Sequence, residues 1–158
     1  MDQKMMVEVF RKAFTEITMK LTKIPLQESD NGTDVNCEEQ MVLFIHGFIE
    51  AEIVCLFAKD LYLAIVTEMH GGTLPAEQES ILYLKEYMNI VCGRAVSALN
   101  NEIGKPSRLS VPYYQEEVPE HHRDQQQEIR LFYETEYGAM QVKIAFSAGQ
   151  IKEGLMHE

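Results

Sequence analysis

Between Ile49 and Phe57 the residues Ile49, Ala51, Ile53, Cys55 and Phe57 alternate with Glu50 and Glu52. Alternation with a period of two puts apolar side chains on one side of a strand and charges on the other. Such a strand belongs to a sheet with one wet face and one face that another layer must cover. The preceding run MVLFIHG, Met41 to Gly47, is rich in Val, Ile and Phe, and Gly47 separates the two segments, so together they predict a β-hairpin.

The covering layer is found in three helical patterns. Residues 3–21 place Met6, Val7, Phe10, Ala13, Phe14, Ile17 and Leu21 at spacings of three and four, a helix with one buried stripe. Pro25 ends it, and QESDNGTD, Gln27 to Asp34, has the composition of a loop. Asp60 can cap a short helix, LYLAIVTEMHG, that stops at Gly71 and Gly72. A long helix follows, with Pro75 near its first turn and Gly104 and Pro106 at its end. Three further segments, RLSVPYY, EIRLFYE and MQVKIAF, read as strands, the last two joined near Tyr137 and Gly138, while QEEVPEHHRDQQQ is a polar connection. The order α, β, β, α, α, β, β, β predicts an α+β fold, long helices packed on a mostly antiparallel β-sheet.

A length of 158 residues suits one domain spanning 1–158. Lys and Arg number 14 against 25 for Asp and Glu, a formal net charge of −11, and no basic cluster could follow a phosphate backbone, which argues against nucleic-acid binding. The N-terminal pattern lacks the basic start and apolar run of a signal peptide, and no stretch has the length of a membrane span, so a cytoplasmic protein is expected. Cys37, Cys55 and Cys92 are odd in number and widely spaced, as buried reduced thiols are. His121 and His122 are neighbours in a polar loop and point apart if extended; His46 sits in an apolar strand as a partly buried histidine; His70 and His157 carry no pattern. No metal site is predicted.

The long helix has two unlike sides. Leu84, Met88, Val91, Ala95, Ala98 and Leu99 gather on one of them as a core stripe. Opposite, Glu86, Asn89, Gly93, Ser97 and Asn100 fall within an arc of roughly 80° at about 100° per residue. A solvated face ordinarily fills with Lys, Glu, Gln and Ala, whereas Asn costs a helix up to about 0.7 kcal/mol and Gly about 1 kcal/mol relative to Ala. Gly93 would admit another surface close to the helix backbone, and Asn89 projects an amide that both donates and accepts. Glu28 and Asn31 repeat the three-residue spacing, but in loop-like surroundings that give them no common helical face.

With these residues in view, the sequence resembles the CheC, CheX and FliM superfamily of bacterial chemotaxis, whose phosphatase members carry Glu, two residues, Asn, then 22 residues and Pro. Glu86, Asn89 and Pro112 stand in that register. The wording EYMNIVCGRAVSALNN is similar to the CheX version of the helix, and KDLYLAIVTEMHGG resembles the usual lead-in. The likeness runs from about Met41 to Phe146, and a single copy of the helix motif favours a CheX-like over a two-site CheC-like protein. One position departs: the family often has Asp or Ser four residues before the Glu, where this chain has Leu82.

The resemblance implies a phosphatase acting on the aspartyl phosphate of a CheY-like receiver domain, whose own Mg²⁺ sits beside the phosphate, with no cofactor in this chain. It implies Glu86 as an anchor for the receiver's lysine and a homodimer joined through sheet edges. Asn89 suits the orienting of a water, because its amide oxygen can accept a hydrogen bond without bringing a charge beside an anionic phosphate. Gly93, Ser97 and Asn100 are expected to meet the partner, and Pro112 to be structural, at an edge or strand end. The competing expectation is a FliM-like scaffold that binds receivers without hydrolysing them.

Overall fold

The computed structural model describes residues 3–30, 39–119 and 127–147. Helix α1 (Gln3–Thr22) buries Met6, Phe10, Ala13, Phe14 and Ile17, the stripe its spacing predicts, with Val7 and Leu21 half-buried at the margin. Thr18 and Thr22 are buried with it, and both hydroxyls are satisfied. Thr22 Oγ1 donates to the Thr18 carbonyl oxygen at 2.7 Å, and Thr18 Oγ1 meets the Tyr87 hydroxyl at 2.6 Å. The helix closes at Lys23, whose φ of 61° is left-handed and whose N–H returns to the Met19 carbonyl, just ahead of Pro25.

The hairpin forms as expected, from β2 (Glu39–Gly47) and β3 (Glu50–Phe57), and β3 alternates between buried and half-buried along its whole length. Gly47, with φ of 138°, is a position only glycine fits: an added Cβ would stand 2.8 Å from the Pro106 carbonyl oxygen and the Ser107 Cα. Strands β6 (Gln127–Thr135) and β7 (Gly138–Ser147) form a second hairpin. With β1 (Gln27–Glu28), β4 (Ser107–Leu109) and β5 (Tyr113–Tyr114) they complete an antiparallel sheet ordered β1-β6-β7-β3-β2-β4, in which β5 also pairs with β2.

The helices cover one face of this sheet. Met41, Leu43 and Ile45 of β2 join the core made with the helices, along with Ala51, Ile53, Cys55 and Phe57 of β3 and Met140, Val142, Ile144 and Phe146 of β7. Val42 and Phe44, which point the other way, are buried outside that core, and Phe44 packs edge-on against Tyr113. Helix α2 (Lys59–Met69) contributes Leu61, Tyr62, Ile65 and Val66, and α3 (Glu77–Ile103) contributes Leu84, Tyr87, Met88, Val91, Cys92, Ala95 and Leu99. Gly104, left-handed with φ of 77°, caps α3, its N–H bonded to the Asn100 carbonyl at 2.8 Å. No helix among the described residues is long and apolar enough to cross a membrane.

Four local expectations are corrected. Asp60 does not cap α2: Ala58 holds that position and Asp60 lies in the first turn, where its charge favours the helix dipole. The segment RLSVPYY is not one strand, because Ser110 Oγ accepts the Phe44 N–H at 2.9 Å and Pro112 has no N–H to give, so pairing lapses between β4 and β5. Gln27 and Glu28, placed in a loop by composition, add to the edge of β6. His46 is exposed instead of partly buried, with Nδ1 3.4 Å from the Glu50 carboxylate. Cys37, Asn31, His121, His122 and His157 lie outside the described residues.

Candidate functional site

Helix α3 carries the candidate site, and its rigidity comes from the other side. Six residues facing the core, Leu84, Tyr87, Met88, Val91, Cys92 and Ala95, have no exposed surface. The Thr18 to Tyr87 hydrogen bond ties α3 to α1 through the interior. Burial pushes the Cys92 thiol up to about 12 and raises the Tyr87 hydroxyl well above its ordinary value, so neither ionises near neutral pH. Cys92 is therefore a packing residue and not a nucleophile.

Glu86, Asn89 and Ser97 are exposed on the outer side of α3, and Gly93 lies half-buried between them. Gly93 has ordinary helical backbone, and a Cβ added there would find nothing within 4 Å. Nothing among the described residues asks for glycine at this position. Asn100 is different from its neighbours: its Oδ1 accepts the Ser107 N–H at 2.9 Å and its Nδ2 donates to the Ser107 carbonyl at 3.1 Å. Its amide is committed to holding β4 against the end of α3, so the structure gives it an internal role where the sequence pattern placed it at a partner surface.

Pro112 is half-buried at the sheet edge, in the break between β4 and β5. The segment after it is held to α3 by an ion pair, Lys85 Nζ to Glu117 Oε1 at 2.8 Å, beside Glu86 in the helix. That bond with Lys85, helped by the Tyr114 N–H, holds the Glu117 carboxyl below the usual carboxylate range. The Tyr114 hydroxyl in turn donates to Glu39.

Two apolar residues stand on the same outer side: Leu82, which the sequence shows as a departure from the family's Asp or Ser, and Ile90, which the pattern of a small, polar face does not include. Leu82 is 63% exposed and Ile90 is 38% exposed. They lie four residues before and four after Glu86, spacing that was legible once the whole face, and not only its polar members, was drawn. Toward the start of the helix a shallow groove is lined by His70, Glu79, Leu82, Tyr83 and Glu86. His70 packs on the Tyr83 ring with centroids 5.2 Å apart, and its Nδ1 is 2.9 Å from the Thr73 carbonyl oxygen.

Among the described residues no three His, Cys, Asp or Glu side chains are grouped to hold a metal ion. What α3 offers is a carboxylate and a carboxamide, one turn apart, on an exposed and firmly seated rod. Such a pair is suited to entering the site of another molecule.

No protein-family model matches this sequence, and neither does any curated protein. Solved structures do match. The chemotaxis protein CheX from Desulfovibrio desulfuricans superposes with a TM-score of 0.75 at 20% identity, over 90% of this chain and 99% of that one. The fold is the one shared by these structures of CheX, a CheC-like protein and the FliM middle domain. CheX in the CheX–CheY–BeF₃–Mg²⁺ complex from Borrelia burgdorferi has a TM-score of 0.71 at 13% identity, covering 89% of this chain and 97% of that one. FliY from Thermotoga maritima scores 0.61 at 16% identity, covering 96% and 90%.

Proposed function

We propose that this chain is a phosphatase that hydrolyses the aspartyl phosphate of a CheY-like receiver domain, with α3 as the element that enters the receiver's site. The observation that carries the reading is the joint exposure of Glu86 and Asn89, three residues apart on one side of α3, in a fold shared with CheX. The likeness to a CheX solved in complex with CheY, BeF₃ and Mg²⁺ supports a receiver as the partner.

An aspartyl phosphate has a good leaving group and, in the receiver, a Mg²⁺ ion that spreads charge on the phosphoryl oxygens, so the accelerating partner chiefly has to place a water in line. The Asn89 amide oxygen accepts a hydrogen bond from that water and directs its lone pair at phosphorus. The water oxygen bonds to phosphorus as the bond from phosphorus to the receiver's aspartate oxygen breaks; the carboxylate leaves as the anion, and the water's protons remain on the phosphate that is released. Glu86, one turn earlier, pairs with the receiver's lysine and fixes the approach. Gly93, with open space over its Cα, lets the receiver come close to the helix backbone, and Ser97 borders the same contact. The chain brings no cofactor of its own.

The family resemblance of the sequence implies a cytoplasmic protein and a homodimer joined through sheet edges, and sedimentation at micromolar concentration checks the dimer. A second reading is a non-enzymatic, FliM-like scaffold that binds receivers without turnover, and the FliM middle domain shares the fold. Mixing the protein with a receiver charged from acetyl phosphate separates the two: faster phosphate loss supports the enzyme, and binding without it supports the scaffold.

A further inference from the structure

Leu82, Glu86 and Ile90 form one ridge of α3, at i, i+4 and i+8, with successive side chains about 6 Å apart along the axis. Asn89, Gly93 and Ser97 form the next ridge at the same spacing. The acid of the site thus stands between two exposed aliphatic side chains, Leu82 at 63% and Ile90 at 38% exposure. The core-facing side of the same helix is already full, with buried residues at every turn from Ser80 to Leu99. These two side chains therefore have no place in the core, and they gain only by losing their water to another surface.

We propose that Leu82 and Ile90 are the specificity contacts of the site, so that this chain selects receivers presenting an apolar surface free of acidic groups around the lysine that Glu86 meets. The inference rests on the phosphatase reading and narrows its substrate class. The arrangement itself supplies the selection. A receiver that puts an acidic side chain against Leu82 would have to strip it of water beside Glu79 and Glu86, which line the same groove and repel it, whereas an apolar receiver surface buries the leucine and shields the Glu86 ion pair from solvent. Leu82 stands immediately before Tyr83, whose ring is backed by His70, so the ridge rests on a packed shoulder at the start of the helix.

The test uses the CheY-like receiver domains of the source organism, each loaded with beryllium fluoride and Mg²⁺, and measures binding to the full chain. Leu82→Gln, which keeps length and helix preference, weakens binding about tenfold for the receivers that bind, while Leu82→Met stays within about threefold of wild type. Ile90→Gln shows a smaller loss, in keeping with its lower exposure. Leu74→Gln, at a leucine 57% exposed but off this helix, leaves affinity unchanged. Wild-type affinity in Leu82→Gln, or equal losses in Leu82→Gln and Leu74→Gln, overturns the inference. Turnover of phosphorylated receiver by Asn89→Ala is measured in parallel: a normal rate there removes the catalytic reading while the Leu82 result stands on its own. If no receiver binds the wild-type chain, both fall together.

Discussion

The two sides of α3 obey different rules. On the inner side the interior of the protein accounts for every residue: Leu84, Tyr87, Met88, Val91, Cys92 and Ala95 are fully buried against the sheet and α1, and even the Tyr87 hydroxyl has its partner in Thr18. On the outer side the protein accounts for almost nothing. Gly93 touches no neighbour that would exclude a side chain, Leu82 lies in water, and Glu86 and Asn89 are exposed. A helix of 27 residues could have carried lysines and alanines there at lower cost. The contrast separates residues that packing explains from exposed residues that it does not, and Asn100, at the end of the outer side, marks the boundary by turning inward to Ser107.

Mutations on the two sides should therefore divide cleanly between stability and docking. The largest stability change is expected from Leu84→Ala, which leaves a cavity in the inner face and lowers unfolding free energy by about 2–5 kcal/mol in a denaturant titration. Asn100→Ala strips both partners from the Ser107 backbone and should cost about 1–3 kcal/mol, although it belongs by position to the outer side. A loss in receiver affinity with no loss in stability would place Asn100 back at the partner surface.

Gly93→Ala sharpens the comparison most, because the two readouts should move in opposite directions. Relieving the glycine stabilises the helix by about 0.5–1 kcal/mol, and the new methyl group weakens receiver binding. A variant that is more stable and binds equally well would mean that the outer side does not need the close approach. The smallest effect concerns the Lys85 to Glu117 tie. Because the folded Glu117 carboxyl is held below its usual range, the tie stabilises the fold above that range and is lost as pH falls through the lowered value. Lys85→Gln should return the Glu117 titration toward its ordinary value in an NMR pH series, with little change in stability, since Glu117 is exposed and Lys85 only half-buried.

The inner side was legible in the sequence and the outer side was legible only in part, for physical reasons. Apolar residues at spacings of three and four along α1 and α3, and at a spacing of two along β3, announce elements whose packing is enforced at every turn. The β4 and β5 edge was harder, because what splits it is a side chain, Ser110, taking a backbone's place against Phe44. β1 is two residues long and owes its existence to β6, so no local pattern could reveal it. The exposure of Glu86 and Asn89 was legible because helical rotation puts them on the side opposite the core stripe. The inward turn of Asn100 depends on where the chain goes after Gly104, which the helix pattern does not contain.

The most direct test of the Asn89 role is the rate at which a phosphorylated receiver loses phosphate in the presence of Asn89→Ala, measured at saturation beside its affinity. Affinity close to wild type with turnover lowered by about 10²-fold or more is the predicted result. Turnover at the wild-type rate by a chain without the Asn89 carboxamide would contradict it.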